Sequence, residues 1–390
     1  SAKREPLIRA FPKTGLDRDF FKHALTTAMN RIDSGLDRFT DAFPAPSSTK
    51  GVYGAIGNTE WTCGFWTGML WLAWEVTGAE RYRTAADRQV TSFSRRATDR
   101  IAVDHHDLGF LYSLSCVAAY RLTGSAPGRE AALKAARLLL DRYLPQAGII
   151  QAWGDLSDPE QAGRMIIDCN LNLPLLFWAS VETGHPSFQA AAQSHIKAAQ
   201  RYLVRPDAST FHTFHMDPET GEPRFGTTHQ GFSDTSCWAR GQAWGISGFP
   251  LAFRYTGDPS LLETSANLAN HFLNRLPNDL ICAWDLVFTE DNSQRDSSAA
   301  AIAACGLLEL AQWLPQDDRD AAQYRAAALA IVGSLAESYA CTAADPGTGL
   351  LKHGVYHMPH AIGVDESCIW GDYFYLEALV RLTRTWAPYW

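Results

Sequence analysis

No run of 18 or more apolar residues occurs in the 390-residue chain, so no helix in it is expected to span a membrane. Residues Ser1 to Arg9 lack the apolar heart of a secretory signal, which points to a cytoplasmic protein; a periplasmic address stays open if a signal has been removed. Positive charge is also short. With 34 Lys and Arg against 42 Asp and Glu, the net charge of -8 excludes a nucleic-acid surface or a basic membrane patch. Absent too are a Gly-rich phosphate loop, a Rossmann fingerprint and a Gly-x-Ser-x-Gly elbow, and the acidic stretch Asp285 to Asp296 lacks EF-hand spacing. His105 or His106 could ligate a metal beside Asp107, but no His-Glu-x-x-His or Cys-x-x-Cys pattern supports one, so neither metal nor cofactor is expected. The eight cysteines, at 63, 116, 169, 237, 282, 305, 341 and 368, lie mostly in apolar helical stretches and read as reduced core thiols. Charged residues reach only 19% against 46% hydrophobic, with 13 tryptophans, a balance that favours one large core over several small ones.

What the chain has in quantity is helical periodicity. Residues 1–16 read as an extended arm, and 17–390 as a single domain. Phe21, Leu25, Ala28 and Ile32 open the pattern. Trp61 to Val76 is then apolar almost all round and stops at Thr77-Gly78; an amphipathic segment with Ala86, Val90 and Phe93 on one stripe follows. The same pair recurs. Asp107 to Leu122 stops at Thr123-Gly124, Asp168 to Glu182 at Thr183-Gly184, and Thr235 to Tyr255 at Thr256-Gly257, each followed by an amphipathic helix. Ser297 to Leu314 backed by Ala321 to Tyr339, and Glu366 to Trp386 partnered by the helix around Phe20 to Asp37, complete six pairs. Six helices buried on every side and six with one apolar stripe are what an all-α (α/α)6 barrel requires, although an open solenoid would show the same periodicity. In a closed ring the inner helices run parallel, so their N-terminal ends share one rim, where the helix dipoles favour anions.

The residues at that rim are polar and aromatic: Asn58 to Trp61, His105-His106-Asp107, Asp168 with Asn170, Asp234 to Ser236 followed by Trp238, Arg240 and Trp244, Arg295 to Ser298, and Asp365 to Ser367. Long loops add Trp153, His212, His215, His229 and Gln230. Asp234, Asp296 and Asp365 read as simple helix caps. Asp107 and Asp168 read as caps or as an acid pair across one pocket. The apolar neighbours Ile166 and Ile167 favour the second reading, because they would raise the pKa of Asp168 as a general acid requires. Trp61 and Trp153 suit the apolar faces of sugar rings. Arg240, one turn before Trp244, is either paired with a capping aspartate or is the clamp for a substrate carboxylate.

The segments Asn58-Thr59-Glu60-Trp61, His105-His106-Asp107-Leu108-Gly109-Phe110, Asp168 to Trp178 and Trp238-Ala239-Arg240-Gly241-Gln242-Ala243-Trp244-Gly245 resemble the unsaturated glucuronyl hydrolases, glycoside hydrolase family 88. The likeness runs from about residue 15 onward and implies the same barrel. It also implies an activity: removal of a 4,5-unsaturated uronic acid from the non-reducing end of a polysaccharide-lyase product. By that resemblance Asp168 protonates C4 of the vinyl ether and then takes a proton from the water adding at C5; the hemiketal opens and the glycosidic bond is lost. Asp107 would hold the ring hydroxyls and raise the pKa of Asp168. Trp61, His106, Trp153, His212, Gln230, Arg240 and Trp244 would line the uronate site. The partner implied is an unsaturated uronate-terminated di- or oligosaccharide, with no nucleic acid, no membrane and no sign of oligomeric state. Three alternatives remain at this stage: an unsaturated rhamnogalacturonyl hydrolase, an inverting glycosidase on saturated polysaccharide with carboxyls about 6.5–9.5 Å apart, and a carbohydrate-binding toroid without catalysis.

Overall fold

The computed structural model describes residues 1–11 and 16–390. Its helices are α1 (Arg18–Gly35), α2 (Cys63–Thr77), α3 (Glu80–Thr98), α4 (Leu108–Tyr112), α5 (Ala118–Thr123), α6 (Ala126–Leu140), α7 (Leu173–Thr183), α8 (Pro186–Ala198), α9 (Ala239–Thr256), α10 (Pro259–Leu273), α11 (Ser297–Trp313), α12 (Ala321–Ser334) and α13 (Ile369–Thr383). A π turn at Ser113–Val117 joins α4 to α5, making one inner helix of the two. The inner helices α2, α4–α5, α7, α9, α11 and α13 each pack on the next, and α13 packs back on α2. That last contact closes the ring and excludes an open solenoid. Helices α3, α6, α8, α10 and α12 lie outside their preceding inner partners, and α1 covers α13, so the fold is an (α/α)6 barrel. Of the described residues, no helix is long and apolar enough to cross a membrane.

The apolar helices end where the Thr-Gly pairs stand. Gly78, Gly124, Gly184 and Gly257 are left-handed, with φ of 67–76°, and each backbone N–H returns to a carbonyl four residues back. Burial follows the expected division: every residue from Cys63 to Ala73 in α2 and from Ser297 to Leu310 in α11 is buried, whereas α3 buries one stripe. All eight cysteines are buried and unpaired with one another. The ring is also tight. Each of its six seams carries a glycine at which a Cβ would meet the neighbouring inner helix, or the turn leading into it, within 2.9 Å: Gly64 on Phe110, Gly109 on Asn172, Gly248 on Asn170, Gly306 on Ser247, Gly371 on Ser298 and Gly68 on Tyr373. Backbones that close leave little room in the centre, and Phe65, Phe110, Trp244 and Phe374 fill it.

Helix starts differ from the sequence expectation. The α-helix begins at Leu173 rather than Asp168, because Pro174 lacks an N–H and its ring obstructs the carbonyl four residues back, so an α-helix cannot run far ahead of it. Asp168 lies instead in a 3-10 turn, Ile167–Leu171. Residues 235–238 belong to a loop: Trp238 pairs with Asp285 in an isolated bridge and α9 starts at Ala239. The last inner helix starts at Ile369 because Glu366 ends a strand, its carboxylate accepting from the Lys50 and Gly51 N–H groups.

The nine short strands among the described residues all lie in connections that lead from an outer helix to the next inner one, hence on one end of the barrel. The antiparallel pairs are β1 (Phe43–Pro44) with β2 (Ala55–Ile56), β3 (Tyr143–Leu144) with β4 (Ile149–Ile150), and β8 (Gly354–His357) with β9 (Ile362–Glu366). Strands β5 (Arg164–Ile166), β6 (Thr213–Met216) and β7 (Pro223–Thr227) form one three-stranded sheet in that order. Residues 1–11 contain no helix or strand, and Arg4 ties them to Glu263 and Asp318 beside α10 and α12.

Candidate active site

Asp107 immediately precedes α4, but its side chain caps no helix. Oδ1 faces His106 Nε2 at 3.3 Å and accepts from Asn172 Nδ2 at 3.4 Å. The same Asn172 nitrogen donates to the main-chain oxygen of Asp168 at 3.2 Å, and Asn172 Oδ1 accepts from Phe110 N. One amide therefore ties together the two segments that carry the carboxylates. It is also the residue against which Gly109 packs, so α4 and the turn before α7 approach closely where the two aspartates stand.

The two acids are held in opposite states. Burial pushes Asp107 up, but the charge and hydrogen bond of His106, with His105 and Asn172, more than offset it and hold the carboxyl below its usual range. His106 responds in kind: burial disfavours its cation, yet Asp107 and then Cys169 raise it to about 10. Asp168 has no such partner. Burial, with the negative charge of Asp107 added, raises it to about 7, and His106 and Arg240 offset only part of this. A proton is therefore retained on Asp168 near neutrality beside an ionised Asp107, the division of labour an acid pair needs. The buried Cys169 thiol, next to Asp168 in sequence, is raised by burial but drawn down to about 6 by His195 and His106.

His212 completes one wall. Its Nδ1 accepts the N–H groups of His229 and Gln230, at 3.0 and 3.2 Å, so the proton of the neutral ring sits on Nε2. Burial first, then the neighbouring His229 and Arg240, keep it neutral. Nε2 points at Asp168 Oδ1 from 4.0 Å, and among the described residues neither atom has a hydrogen-bond partner. Two such open atoms facing each other across a pocket are positioned for a ligand or water to bond to both.

The other expected residues are placed as follows. Trp61, half-buried, donates to Tyr356 Oη at 2.9 Å and lies nearly parallel to Trp370, 5.2 Å away. Trp153 is brought beside His105 by backbone pairing of the two residues, with His106 N donating to Ala152 O; its ring meets His229 edge-on at 5.1 Å. Trp244 is fully buried against Phe110 and Phe374, with its indole N–H unpartnered among the described residues. Gln230 accepts from Arg240 Nη2. Both terminal nitrogens of Arg240 are committed elsewhere: Nη1 donates to Val355 O at 2.7 Å and lies 3.6 Å from Asp296 Oδ2, and Nη2 donates to Tyr356 O at 2.9 Å, while the buried Nε has no partner among the described residues. The guanidinium plane lies among the rings of Trp238, Trp370 and Tyr356.

Of the three aspartates read as caps, only Asp296 is one, accepting from Ser298 N ahead of α11. Asp234 accepts from Thr228 N within its own loop, and Asp365, in β9, accepts from His353. Three features of the site escape sequence reasoning. Tyr356 fixes Trp61, Asn172 links the acid pair, and His357 stacks on His360 at 3.9 Å while its Nε2 meets His229 Nε2 at 3.3 Å. The His-x-x-His spacing at 357 and 360 was the only sequence signal for that group.

The model of the family described as Glycosyl Hydrolase Family 88 matches residues 36–361. The unsaturated chondroitin disaccharide hydrolase of Streptococcus pneumoniae strain R6 is 47% identical over 376 residues, 96% of this chain and 95% of that protein. A crystal structure of the unsaturated glucuronyl hydrolase of Streptococcus agalactiae superposes with a TM-score of 0.94 at 43% identity, covering both chains completely. A solved complex titled as a UGL variant with dGlcA-Glc-Rha-Glc has a TM-score of 0.91 at 46% identity, covering 93% of this chain and 97% of that one. The closed ring, the rim with its unequal acid pair, and identity sustained along the whole barrel lead to one conclusion: the chain is a glycoside hydrolase and belongs to family 88.

Proposed function

We propose that this enzyme removes the 4,5-unsaturated uronic acid from the non-reducing end of lyase-generated oligosaccharides by hydrating the C4=C5 vinyl ether. The observation that carries the reading is a buried Asp168 with Oδ1 free of partners among the described residues, its pKa raised to about 7 beside an Asp107 whose carboxyl His106 holds below its usual range. Vinyl ether hydration needs one group able to give a proton to carbon and then accept one from water, and a carboxyl titrating near 7 serves both steps. Asp168 delivers its proton to C4, positive charge develops at C5 next to the ring oxygen, and water adds there as Asp168 takes its proton. The hemiketal then opens and the aglycone leaves. The anionic Asp107 favours the developing charge and accepts hydrogen bonds from ring hydroxyls.

His212 Nε2–H, opposite Asp168, donates to the substrate or to the incoming water. Trp61 and Trp153 offer ring faces to the sugars, and His106 holds Asp107 ionised. Arg240 contributes its charge and fixes the Gln230 oxygen, so that the Gln230 amide nitrogen is the donor toward the substrate carboxylate; buried Trp244 supports Phe110 beneath the ring. The names of the relatives, a chondroitin disaccharide hydrolase and a UGL crystallised with an unsaturated tetrasaccharide, agree with this substrate class.

The test is ultraviolet absorbance of an unsaturated chondroitin disaccharide incubated with the wild type and with Asp168→Asn. The conjugated double bond absorbs and its hydration product does not. Absorbance that falls with the wild type and holds steady with the variant supports the reaction and the acid. A steady signal with the wild type across chondroitin, gellan, xanthan and ulvan lyase products refutes the proposal.

A further inference from the structure

Just outside the acid pocket lies an exposed cluster of apolar side chains that neither the fold nor the chemistry above accounts for. Phe232 is 58% exposed and Val287 54%. The Phe232 ring lies 5.1 Å from that of half-buried Phe288, and both stand over Trp284, at 6.4 and 5.7 Å. Among the described aromatic residues only Phe225, which stacks singly on His215, is comparably exposed, and a contiguous exposed apolar group costs solvation unless something covers it in use.

The cluster is preformed and continuous with the site. Fully buried Asp285 accepts from Phe232 N at 2.9 Å, Ser236 Oγ at 2.8 Å and Val287 N at 3.1 Å, so one carboxylate locks the 228–236 and 284–288 loops together. Leu286 N donates to Cys237 O, and Asp285 bridges Trp238, whose ring packs on His212 at 4.1 Å. Phe232 is two residues beyond Gln230. The inner side of this double loop therefore lines the uronate pocket while its outer side carries the aromatic group.

Charge narrows the occupant. Exposed Asp234 and Glu290 each follow one of the two phenylalanines by two residues, and Asp291 is exposed beside them. The nearest cations are engaged: Arg205 donates to the carbonyls of Asp234 and Ser236, and Arg295 to those of Glu290 and Ser293, with Asp279 as its ion pair. A sulfated or carboxylated sugar would meet unneutralised carboxylates there. Two copies of this chain meeting by a two-fold axis would oppose the same acids, and three side chains are far below the area of a stable interface.

We propose that Phe232, Phe288 and Val287 form a distal subsite that stacks on an uncharged sugar of an oligosaccharide, beyond the sugar attached to the unsaturated uronate. The inference rests on the activity proposed above and makes the enzyme selective for longer products of lyases acting on largely neutral backbones. Aromatic rings present the face on which the axial C–H bonds of a neutral hexose or deoxyhexose pack.

The experiment compares wild type with Phe232→Ser, Phe288→Ser and the double variant on three unsaturated substrates: a chondroitin disaccharide, the neutral-backbone tetrasaccharide dGlcA-Glc-Rha-Glc, and a chondroitin tetrasaccharide with its internal carboxylate. The expected result is a rise in KM of roughly fivefold to tenfold for the double variant on dGlcA-Glc-Rha-Glc, with kcat unchanged, and less than about twofold change on the other two. An unchanged KM on the neutral tetrasaccharide, or an equal rise on the disaccharide, overturns the subsite. So does a wild-type dimer in sedimentation that the double variant dissolves. Loss of absorbance by the wild type tests the activity separately. If no substrate is turned over, that reading falls, and calorimetric binding of dGlcA-Glc-Rha-Glc to wild type but not to the double variant still decides the subsite.

Discussion

Replacing Asp168, the proposed general acid, should make the protein more stable, and only on the alkaline side. Asp168 is raised from an ordinary 3.8 to about 7 by burial and by the charge of Asp107, with its side chain only 13% exposed. Below pH of about 4 the carboxyl is protonated in both the folded and the unfolded chain and contributes no difference. Between about 4 and 7 the unfolded chain ionises while the folded one does not, so the folded state loses ground as pH rises; above about 7 the whole penalty is present. About three pKa units at about 1.4 kcal/mol each give a penalty of about 4 kcal/mol. Asp168→Asn keeps the shape and removes the charge. For a chain of this length an unfolding entropy of about 2.1 cal/mol/K per residue converts that gain to about 5 °C in Tm. The assay is thermal unfolding of both proteins at pH 4 and pH 8, read as the difference between them so that all other titrations cancel. The variant should match the wild type at pH 4, exceed it by about 5 °C at pH 8, and be inactive at both. A variant equal to or less stable than the wild type at pH 8 would refute the claim that Asp168 is held against its charge.

The same electrostatics predicts opposite displacements of the alkaline limb of kcat/KM, which should fall with a midpoint near 7 in the wild type. Asp107→Asn removes the like charge and should lower that midpoint in the residual activity; His106→Gln removes a cation and should raise it, and pH profiles moving in the same direction would contradict the assignment. Gly109→Ala should cost about 1–3 kcal/mol and lower kcat at least tenfold, because its Cβ would stand 2.3 Å from the Cα of Asn172, the residue tying the two acids together; chemical denaturation and initial rates check the two effects. Arg240→Met should lower stability by about 3–5 kcal/mol by leaving Asp296, fully buried, without its counter-charge. Adding Asp296→Asn to that variant should recover part of the loss in urea titration.

Much of the barrel was legible because its signal is local and repeated. A helix buried on all sides shows as an apolar run, and a left-handed stop shows as glycine, so α2, α4–α5, α7 and α9 end at or within one residue of their Thr-Gly marks. Closure was not legible, since it is a contact between α13 and α2, some 300 residues apart. Starts were harder than stops for a related reason. Each inner helix begins where a long loop decides to let it begin, and those loops pair with one another: Trp238 with Asp285, His105 with Trp153, Gly354 with Glu366. The proline at 174 was in plain view and sufficed to exclude Asp168 from α7, yet the apolar run around it pointed the other way. Arg240 shows the limit most clearly. Its spacing from Trp244 said which helix face it occupies, but apart from Gln230 its partners are the carbonyls of Val355 and Tyr356 and the carboxylate of Asp296, none near it in sequence.

The displacement of Asp168 from the helix start is what makes the pair unequal. Both aspartates stand on the same rim and both are buried, so burial alone would raise both and leave them to share a proton without preference. Asp107 sits directly before α4, where the N-terminal end of a helix favours an anion, and the histidine before it supplies a cation that is buried with it. Asp168, held in a 3-10 turn five residues ahead of α7, has no helix end directly behind it and no cation bonded to it; the neutral N–H of His212 faces it, and the charges of His106 and Arg240 offset its burial only in part. His106 cannot serve both, since its Nε2 is directed at Asp107. The proton therefore settles on Asp168. Proline in the sequence thus bears on proton affinity at the site: by fixing where α7 starts, Pro174 leaves the second carboxyl without a helix end to stabilise its charge, and that carboxyl is the one the proposed mechanism uses to protonate carbon.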